Sequence, residues 1–202
     1  MKIALIGATG NAGSRILAEL ARRGHAVTAI ARNPEKVPTL PGVTAKKADA
    51  GDVTGMAAAL SGHDAVISSV HFTASDPNKL IAAVTKSGAG RYLVVGGAGS
   101  LEVAPGVKLV DTPQFPELYK SEALAGGVFL DLLRKDTSLN WTYLSPSAMF
   151  VPGERTGHFR LGRDKLLTNE KGSSISMEDY AVAMADEIEK PAHPRQRFTV
   201  GY

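Results

Sequence analysis

Ile3-Ala4-Leu5-Ile6-Gly7-Ala8-Thr9-Gly10-Asn11-Ala12-Gly13 opens the chain, directly after Met1-Lys2. The apolar residues predict a buried strand, the glycines predict a tight turn, and the residues from Asn11 onward predict a helix. Because glycine has no Cβ, a ligand can approach the backbone of such a turn closely. The first turn of the helix directs unpaired N–H groups and the positive end of its dipole at the same space. The stretch therefore predicts a seat for a pyrophosphate group.

Strands and helices continue to alternate through the first half of the chain. We predict strands at Ile3–Ile6, Ala26–Ala31, Val43–Lys47, Asp64–Val70 and Arg91–Val95, and helices at Asn11–Arg23, Thr54–Leu60 and Pro77–Ser87. Asp76 is predicted to cap the last of these helices, and Gly88 to end it. Such alternation is typical of a parallel sheet that is covered on both faces. The predicted fold is α/β, a doubly wound, Rossmann-like parallel sheet, in a single domain of residues 1–202 with a small C-terminal excursion on the substrate side.

The second half of the chain is less regular. We predict a loop over 96–116, a helix over Glu117–Arg134, a strand at Asn140–Leu144, an excursion over Phe150–Gly172, a helix that begins after its cap Ser176, and a final strand at Arg197–Val200. The excursion is expected to contain short strands near Phe159–Leu161 and Leu166–Leu167. Apolar residues at helical spacing predict the buried face of the long helix, namely Leu118, Leu124, Val128 and Leu132.

Composition excludes several classes of protein. The 23 basic and 20 acidic residues give a formal charge of +3 without a basic cluster, so no nucleic-acid partner is expected. The absence of cysteine excludes disulfides and thiolate chemistry. The five histidines lack metal-ligand spacing, so no metal is predicted. No apolar run approaches the ~20 residues of a membrane span, and no leader precedes the first strand. We expect a cytoplasmic monomer or homodimer that acts on a small molecule.

The residue after the second strand indicates which dinucleotide is bound. NAD sites usually place Asp or Glu there to hold the ribose hydroxyls, whereas this chain has Arg32. A guanidinium can bind a 2′-phosphate with two hydrogen bonds, so Arg32 favours NADP over NAD. Other predicted contacts follow the strands at the same sheet edge. The complete predicted cofactor set is Gly7, Thr9, Gly10, Asn11, Ala12, Gly13, Arg32, Asp49, Ala50, Ser69, Val70, Gly96, Gly97 and Pro146.

The chain resembles the atypical short-chain dehydrogenase/reductases. The resemblance lies in Gly7–Gly13, Arg32, Asp49, Gly62–Ile67 and Asn140–Pro146. More narrowly, Pro152–Gly157 and Ile175–Ala181 are similar to the NAD(P)H-flavin reductases of that group, and the likeness extends over nearly the whole chain. The resemblance implies a Rossmann fold, a nicotinamide dinucleotide and an oxidoreductase activity.

One family feature is missing from the sequence. Classical members carry Tyr-x-x-x-Lys on the helix after strand five, but no tyrosine of this chain has a lysine four residues later. The predicted helix carries Gly126-Gly127 instead, which indicates that another group approaches it closely. Without the Tyr–Lys pair, carbonyl reduction lacks its usual proton donor. Flavin reduction requires mainly that two planar rings be stacked while water is excluded.

The sequence therefore predicts an NADPH-dependent reductase of a free flavin or a similar planar, quinone-like acceptor, with FMN or FAD as candidate substrates. The alternative is a sensor that binds NAD(P) without turnover, and an epimerase or dehydratase of nucleotide-linked substrates is disfavoured. Tentative substrate contacts are His71, Tyr119, Met149 and Phe150. Met149, Phe150 and Pro152–Gly157 form either an apolar, mobile wall for a flat substrate or parts of the core and a surface loop. Tyr119, Ser100 and His71 are candidate proton donors by position alone, so no catalytic residue is assigned.

Overall fold

A computed structural model describes all 202 residues of the chain. An eight-stranded sheet contains strands from both ends of the sequence. The strands are β1 (Lys2–Ile6), β2 (Ala26–Ala31), β3 (Val43–Lys47), β4 (Ala65–Ser68), β5 (Arg91–Val95), β6 (Glu102–Ala104), β7 (Val107–Lys108), β8 (Trp141–Ser145), β9 (Met149–Val151), β10 (Arg160–Gly162), β11 (Ser174–Ser176) and β12 (Gln196–Gly201). The helices are α1 (Asn11–Arg22), α2 (Val53–Leu60), α3 (Pro77–Ser87), α4 (Glu117–Lys135) and α5 (Met177–Glu189).

Strand order across the large sheet is β10-β12-β8-β5-β4-β1-β2-β3. All neighbouring strands run parallel except β10, which pairs with β12 in the antiparallel direction. The strand β1 is an interior strand, since Ile3 lies opposite Val27 of β2 on one side and Ala65 of β4 on the other. The chain leaves β1 in one direction to form β2 and β3, and then crosses over to form β4 and β5. Ligands of such sheets bind at the carboxyl ends of the strands where this reversal occurs.

Helices cover both faces of the sheet, which confirms the predicted α/β class. On one face, Ile3 and Leu5 of β1 belong to a core that includes residues of α1 and α5. The alternate residues Ala4 and Ile6 belong to a second core, formed with α2, α3 and α4. Burial on both faces explains why the central strands are continuous apolar runs rather than alternating ones.

The helix ends follow the predicted capping chemistry. The Asp76 side chain accepts a hydrogen bond from the N–H of Asn78 (2.9 Å) at the start of α3, and Gly88 ends that helix with φ of 71°. The Ser176 hydroxyl accepts a bond from the N–H of Asp179 (2.9 Å) at the start of α5. Each cap lies within three residues of the group that it satisfies, so the signal is local and readable in the sequence.

The predicted buried face of α4 is wrong. Its buried residues are Gly126, Phe129, Leu130 and Leu133, whereas Leu118 is 81% exposed and Leu124 and Val128 are also exposed. The helix carries two apolar stripes at helical spacing, and periodicity alone does not choose between them. The stripe that contains Phe129 is buried, and Phe129 packs edge-on against Phe72.

Two irregular segments also differ from the prediction. The loop after β5 contains a short antiparallel hairpin, β6–β7. In the excursion, the strand near Phe159 begins one residue later, at Arg160. No strand forms at Leu166–Leu167, although the N–H of Leu166 donates to the carbonyl of Glu102 (2.9 Å).

A buried carboxylate joins α1 to the excursion. Glu19 is only 4% exposed, and it accepts hydrogen bonds from Arg22 (2.7 Å), Arg23 (2.8 Å) and Arg155 (2.9 Å). Burial alone would raise the pKa of Glu19, but hydrogen bonds from the three guanidinium groups hold the pKa well below its ordinary value. Glu19 is therefore ionised in the folded protein and contributes to its stability.

Replacing Glu19 by Gln should lower the free energy of unfolding at pH 7 by about 2 kcal/mol, because charged donors lose their buried partner. Because the folded-state pKa of Glu19 is lowered, its contribution is present above the unfolded-state pKa of about 4.3 and is lost as pH falls toward the folded-state pKa. The difference in urea stability between wild type and variant should therefore shrink progressively as the pH falls below about 4. The exposed Glu35, changed to Gln, is the control. A constant difference down to low pH would contradict this role.

Candidate functional site

A large cleft crosses the carboxyl ends of the central strands. Its volume is about 1200 Å³ and 41 residues line it. The cleft extends from the ends of β2 and β3, past the glycine turn after β1, to the segments that follow β4, β5 and β8. This is the position at which a ligand of a doubly wound sheet binds.

The glycine turn is built by close backbone contacts. Gly7 has φ of +81°, and a Cβ at this position would lie 2.1 Å from the Ser69 carbonyl oxygen. A Cβ on Gly13 would lie 2.1 Å from the Gly7 carbonyl oxygen. Both positions therefore require glycine for packing. Gly13, unlike the other predicted residues of this turn, does not line the cleft; it lets α1 pack closely on the turn.

The start of α1 is open toward the cleft. Gly10 is the N-cap and supplies no side-chain acceptor to the first turn. Asn11 and Ala12 line the cleft at this point, together with Gly10. The N–H groups of the first helical turn have no partner within the helix. An anion placed there meets free donors and the positive end of the helix dipole.

Arg32 and Asp49 line the cleft beyond the ends of β2 and β3. Arg32 is exposed, and its guanidinium forms no ion pair with an acidic residue of the chain. Asp49 uses its Oδ1 atom to accept from the N–H of Gly51 (2.7 Å), so one carboxylate oxygen is occupied by a local turn. The neighbouring Asp52 caps α2. Ala50 also lines this part of the cleft.

The remaining predicted cofactor residues lie where β4, β5 and β8 end. Ser69, Val70, Gly96, Gly97 and Pro146 all line the cleft. Gly96 has a packing role as well, because a Cβ there would lie 2.2 Å from Cε1 of Tyr143. The N–H of Gly97 donates to the Tyr143 hydroxyl (3.2 Å).

The double glycine of α4 accommodates a side chain from the opposite wall. A Cβ on Gly126 would lie 2.9 Å from the Phe72 ring and 3.3 Å from the Tyr143 hydroxyl. The same hydroxyl donates to the Gly126 carbonyl (3.1 Å), and burial raises the pKa of Tyr143 well above its usual value. The predicted close approach is therefore present at Gly126. At Gly127 the nearest atom to a Cβ would be 4.0 Å away, so no such contact exists there.

The two glycines are expected to respond oppositely to alanine. Gly127→Ala should stabilise the protein by up to about 1 kcal/mol, since alanine favours the helix and meets no neighbour. Gly126→Ala should destabilise it by about 1–2 kcal/mol, because Phe72 has to shift and this cost exceeds the gain in helix propensity. Chemical denaturation of the two variants measures both values. Similar stabilities for both variants would contradict the packing at Gly126.

Glu122 holds the turn that follows β4. Its carboxylate accepts from the N–H of Phe72 (2.7 Å), the N–H of Thr73 (3.0 Å) and the Thr73 hydroxyl (2.7 Å). Burial alone would raise the pKa of Glu122, but these bonds hold the pKa below its usual value. Nδ1 of His71 lies 3.4 Å from the same carboxylate. His71, Phe72, Thr73 and Glu122 all line the cleft. Sequence reasoning missed Glu122, because it is about 50 residues from the turn and no local pattern links them.

The far end of the cleft contains the other three tentative substrate contacts. Tyr119 and Met149 line it and are 60% and 58% exposed, and Phe150 lines it while packing on Tyr180 with ring centroids 4.7 Å apart. Six further residues that line this end of the cleft are not apparent from the sequence. These are Leu109, Thr112, Gln114, Phe115, Pro116 and Met177.

The structure decides one open alternative about this end and contradicts one expectation. Residues 152–157 do not line the cleft. They are tied to α5 instead, since the N–H of Gly153 donates to Glu178 (2.8 Å) and that of Gly157 donates to the buried Asp179 (2.7 Å). Ser100 also lies outside the cleft lining, and its hydroxyl accepts from the Arg197 guanidinium (3.2 Å). Of the candidate proton donors, only Tyr119 and His71 line the cleft.

No group of three or more His, Cys, Asp or Glu side chains is arranged to hold a metal ion. None of the five helices combines the length and the apolar character that a membrane crossing requires.

The chain is similar to known proteins over nearly its whole length. The family model described as NAD(P)H-binding matches residues 7–191. A Burkholderia pseudomallei structure named a "putative exported protein" is 48% identical, with a TM-score of 0.91 and 100% of each chain covered. A Bacteroides thetaiotaomicron structure named a "putative epimerase" is 42% identical, with a TM-score of 0.95, and the match covers 100% of this chain and 96% of the Bacteroides chain. A Streptococcus pneumoniae structure named a "putative NADH-flavin reductase" is 41% identical, with a TM-score of 0.86, and the match covers 100% of this chain and 99% of the Streptococcus chain. The chain therefore belongs to the NAD(P)H-binding family, and its fold is that of the Rossmann-like oxidoreductases.

Proposed function

We propose that the protein is an NADPH-dependent reductase that passes a hydride to a planar acceptor of the flavin or quinone type. The observation that supports this most is the continuity of the cleft. It joins an open helix N-terminus at Gly10–Ala12 to a region lined by Phe115, Tyr119 and Met149. A dinucleotide and a second flat molecule can therefore share one cavity.

The residues present fit a dinucleotide. Gly7, Thr9 and Gly10 line the cleft, and the first turn of α1 offers unpaired N–H groups beside them. In the proposed complex, Gly7–Ala12 hold the pyrophosphate, Arg32 pairs with the 2′-phosphate, and the segments after β5 and β8 flank the nicotinamide half. When bound, the reduced nicotinamide supplies the hydride. The protein aligns the two rings and keeps water from between them.

The chain lacks the usual proton donor for reduction of a carbonyl group. It has no Tyr-x-x-x-Lys sequence, and the Tyr143 hydroxyl is buried and bonded to the backbone. A flavin or quinone that has accepted a hydride can take its proton from water, so it does not require that pair. This argument favours a planar acceptor over a ketone. The name of the Streptococcus pneumoniae relative refers to the same class of reaction.

The test is oxidation of NADPH by the purified protein, followed through the absorbance of the reduced nicotinamide, with riboflavin, FMN or a soluble quinone as acceptor. Measurements under nitrogen separate transfer to the acceptor from transfer to oxygen. We expect turnover that depends on the acceptor. Tight NADPH binding without oxidation in the presence of any acceptor would favour a non-catalytic sensor instead. Conversion of a nucleotide-linked sugar without net NADPH oxidation would favour an epimerase.

A further inference from the structure

The charged residues of the cleft are unevenly distributed. Six side chains that line it are acidic, basic or histidine: Arg32, Asp49, His71, Asp76, Lys79 and Glu122. Arg32 and Asp49 follow β2 and β3. Asp76 and Lys79 lie at the start of α3, which packs on α2, the helix that follows Asp49. Arg32 and Asp49 belong to the side of the cleft on which the proposed complex places the adenosine half, whereas Asp76 and Lys79 come directly after the turn that Glu122 holds.

The opposite end has no lysine or arginine. Its lining comprises Leu109, Thr112, Gln114, Phe115, Pro116, Tyr119, Met149, Phe150 and Met177. The nearest basic residues along the chain, Lys108 and Lys120, are exposed and do not line the cleft. Lys120 is also paired with Glu117 (3.5 Å). We name this set of nine residues the acceptor end.

We infer that the acceptor end selects an uncharged planar acceptor, a quinone or an isoalloxazine without phosphate, over the phosphate-bearing flavins FMN and FAD. The inference rests on the proposed function. A phosphate monoester carries about −1.5 to −2 charges at pH 7. Binding it requires guanidinium or ammonium groups, or a cradle of free N–H groups, to replace its hydration. The acceptor end supplies neither a lysine nor an arginine.

The negative charge of Glu122, next to the acceptor end, also disfavours an acceptor that carries a phosphate. The Glu122 carboxylate lines the cleft one helical turn from Tyr119, and the backbone N–H groups of Phe72 and Thr73 keep it in place. Its field repels a phosphate, and only His71 lies beside it as a counter-charge when protonated. Reduction of a quinone at this end takes one hydride from NADPH and one proton from water, which gives NADP⁺ and the quinol.

The experiment compares kcat/KM for riboflavin and FMN, which share one ring system and differ by the phosphate, with a neutral quinone as the third acceptor. At low ionic strength we expect kcat/KM for riboflavin to be about fivefold higher than for FMN, because one repulsive interaction of about 1 kcal/mol gives a factor of that size. Added salt should reduce this difference in kcat/KM, since it screens the repulsion. Gln114→Lys should raise the ratio of FMN to riboflavin about fivefold. Val103→Lys, which adds the same charge on β6 outside the cleft, should leave that ratio unchanged.

The outcomes separate this inference from the proposed function. If FMN is used as well as riboflavin or better, the inference is wrong and the reductase activity stands. If NADPH is oxidised with none of the three acceptors, the proposed function is wrong and the inference falls with it. A ratio that rises equally in the Gln114 and Val103 variants would show that overall charge, rather than the acceptor end, sets the preference.

Discussion

Replacing Gly10 by Asp is expected to weaken NADPH binding by more than about 100-fold, an effect of roughly 3 kcal/mol or more, while the protein stays folded. The backbone of Gly10 (φ −72°, ψ 170°) is accessible to any residue. A Cβ there would lie 3.4 Å from the Gly7 carbonyl oxygen, which is an ordinary contact. Aspartate is a favoured N-cap whose carboxylate accepts from the first-turn N–H groups. It would occupy the donors that the pyrophosphate needs and would repel the phosphates.

The stability of this variant makes the prediction specific. Because aspartate and glycine differ by only a few tenths of a kcal/mol as N-caps, the thermal midpoint without ligand should be unchanged or slightly higher. Calorimetric titration with NADPH gives the affinity, and thermal unfolding gives the stability. Gly10→Ala is the matched comparison, since it adds the Cβ without the charge, and it should weaken NADPH binding clearly less than Gly10→Asp does. Binding by the aspartate variant within about threefold of wild type would place the pyrophosphate elsewhere.

The parts of this site that could be predicted from sequence are those whose cause is local. The strand, turn and helix of residues 3–13 follow from apolar residues, glycines and an open helix start that are adjacent in the chain. The caps at Asp76 and Ser176 are equally local. Parallel strands end at one edge, so residues that follow different strands could be assigned to a single cleft from their positions alone.

The features that were predicted wrongly or missed depend on contacts between residues that are far apart in the sequence. Two apolar stripes of α4 have equally good periodicity, and the choice between them is made by Phe72, which comes from another segment. Residues 152–157 are rich in glycine and polar groups, and such a segment is typical of a mobile loop. Asp179 and Glu178, on a helix more than 20 residues later, hold it in place. Glu122 has the same relation to the turn after β4.

Replacing Arg32 by Asp should reverse the preference between coenzymes. Arg32 is exposed, follows β2 directly and lines the cleft. In the proposed complex its guanidinium binds the 2′-phosphate that distinguishes NADPH from NADH. Loss of a charge-assisted hydrogen bond costs about 1.5–3 kcal/mol, and the aspartate adds repulsion. The affinity for NADPH should therefore fall by about 10- to 100-fold or more. The affinity for NADH should change by less than about threefold, since aspartate can accept bonds from the ribose hydroxyls.

The control for this change is Arg163→Asp, which alters the net charge identically at an exposed position outside the cleft. It should leave the affinities for both coenzymes unchanged. Ionic strength gives an independent measurement, because an exposed ion pair is screened by salt. Wild-type affinity for NADPH should decline with salt more steeply than that for NADH, and this difference should vanish in the Arg32 variant. Equal losses for NADPH and NADH would mean that Arg32 does not contact the 2′-phosphate. The discrimination between coenzymes would then lie in other residues near the ends of β2 and β3.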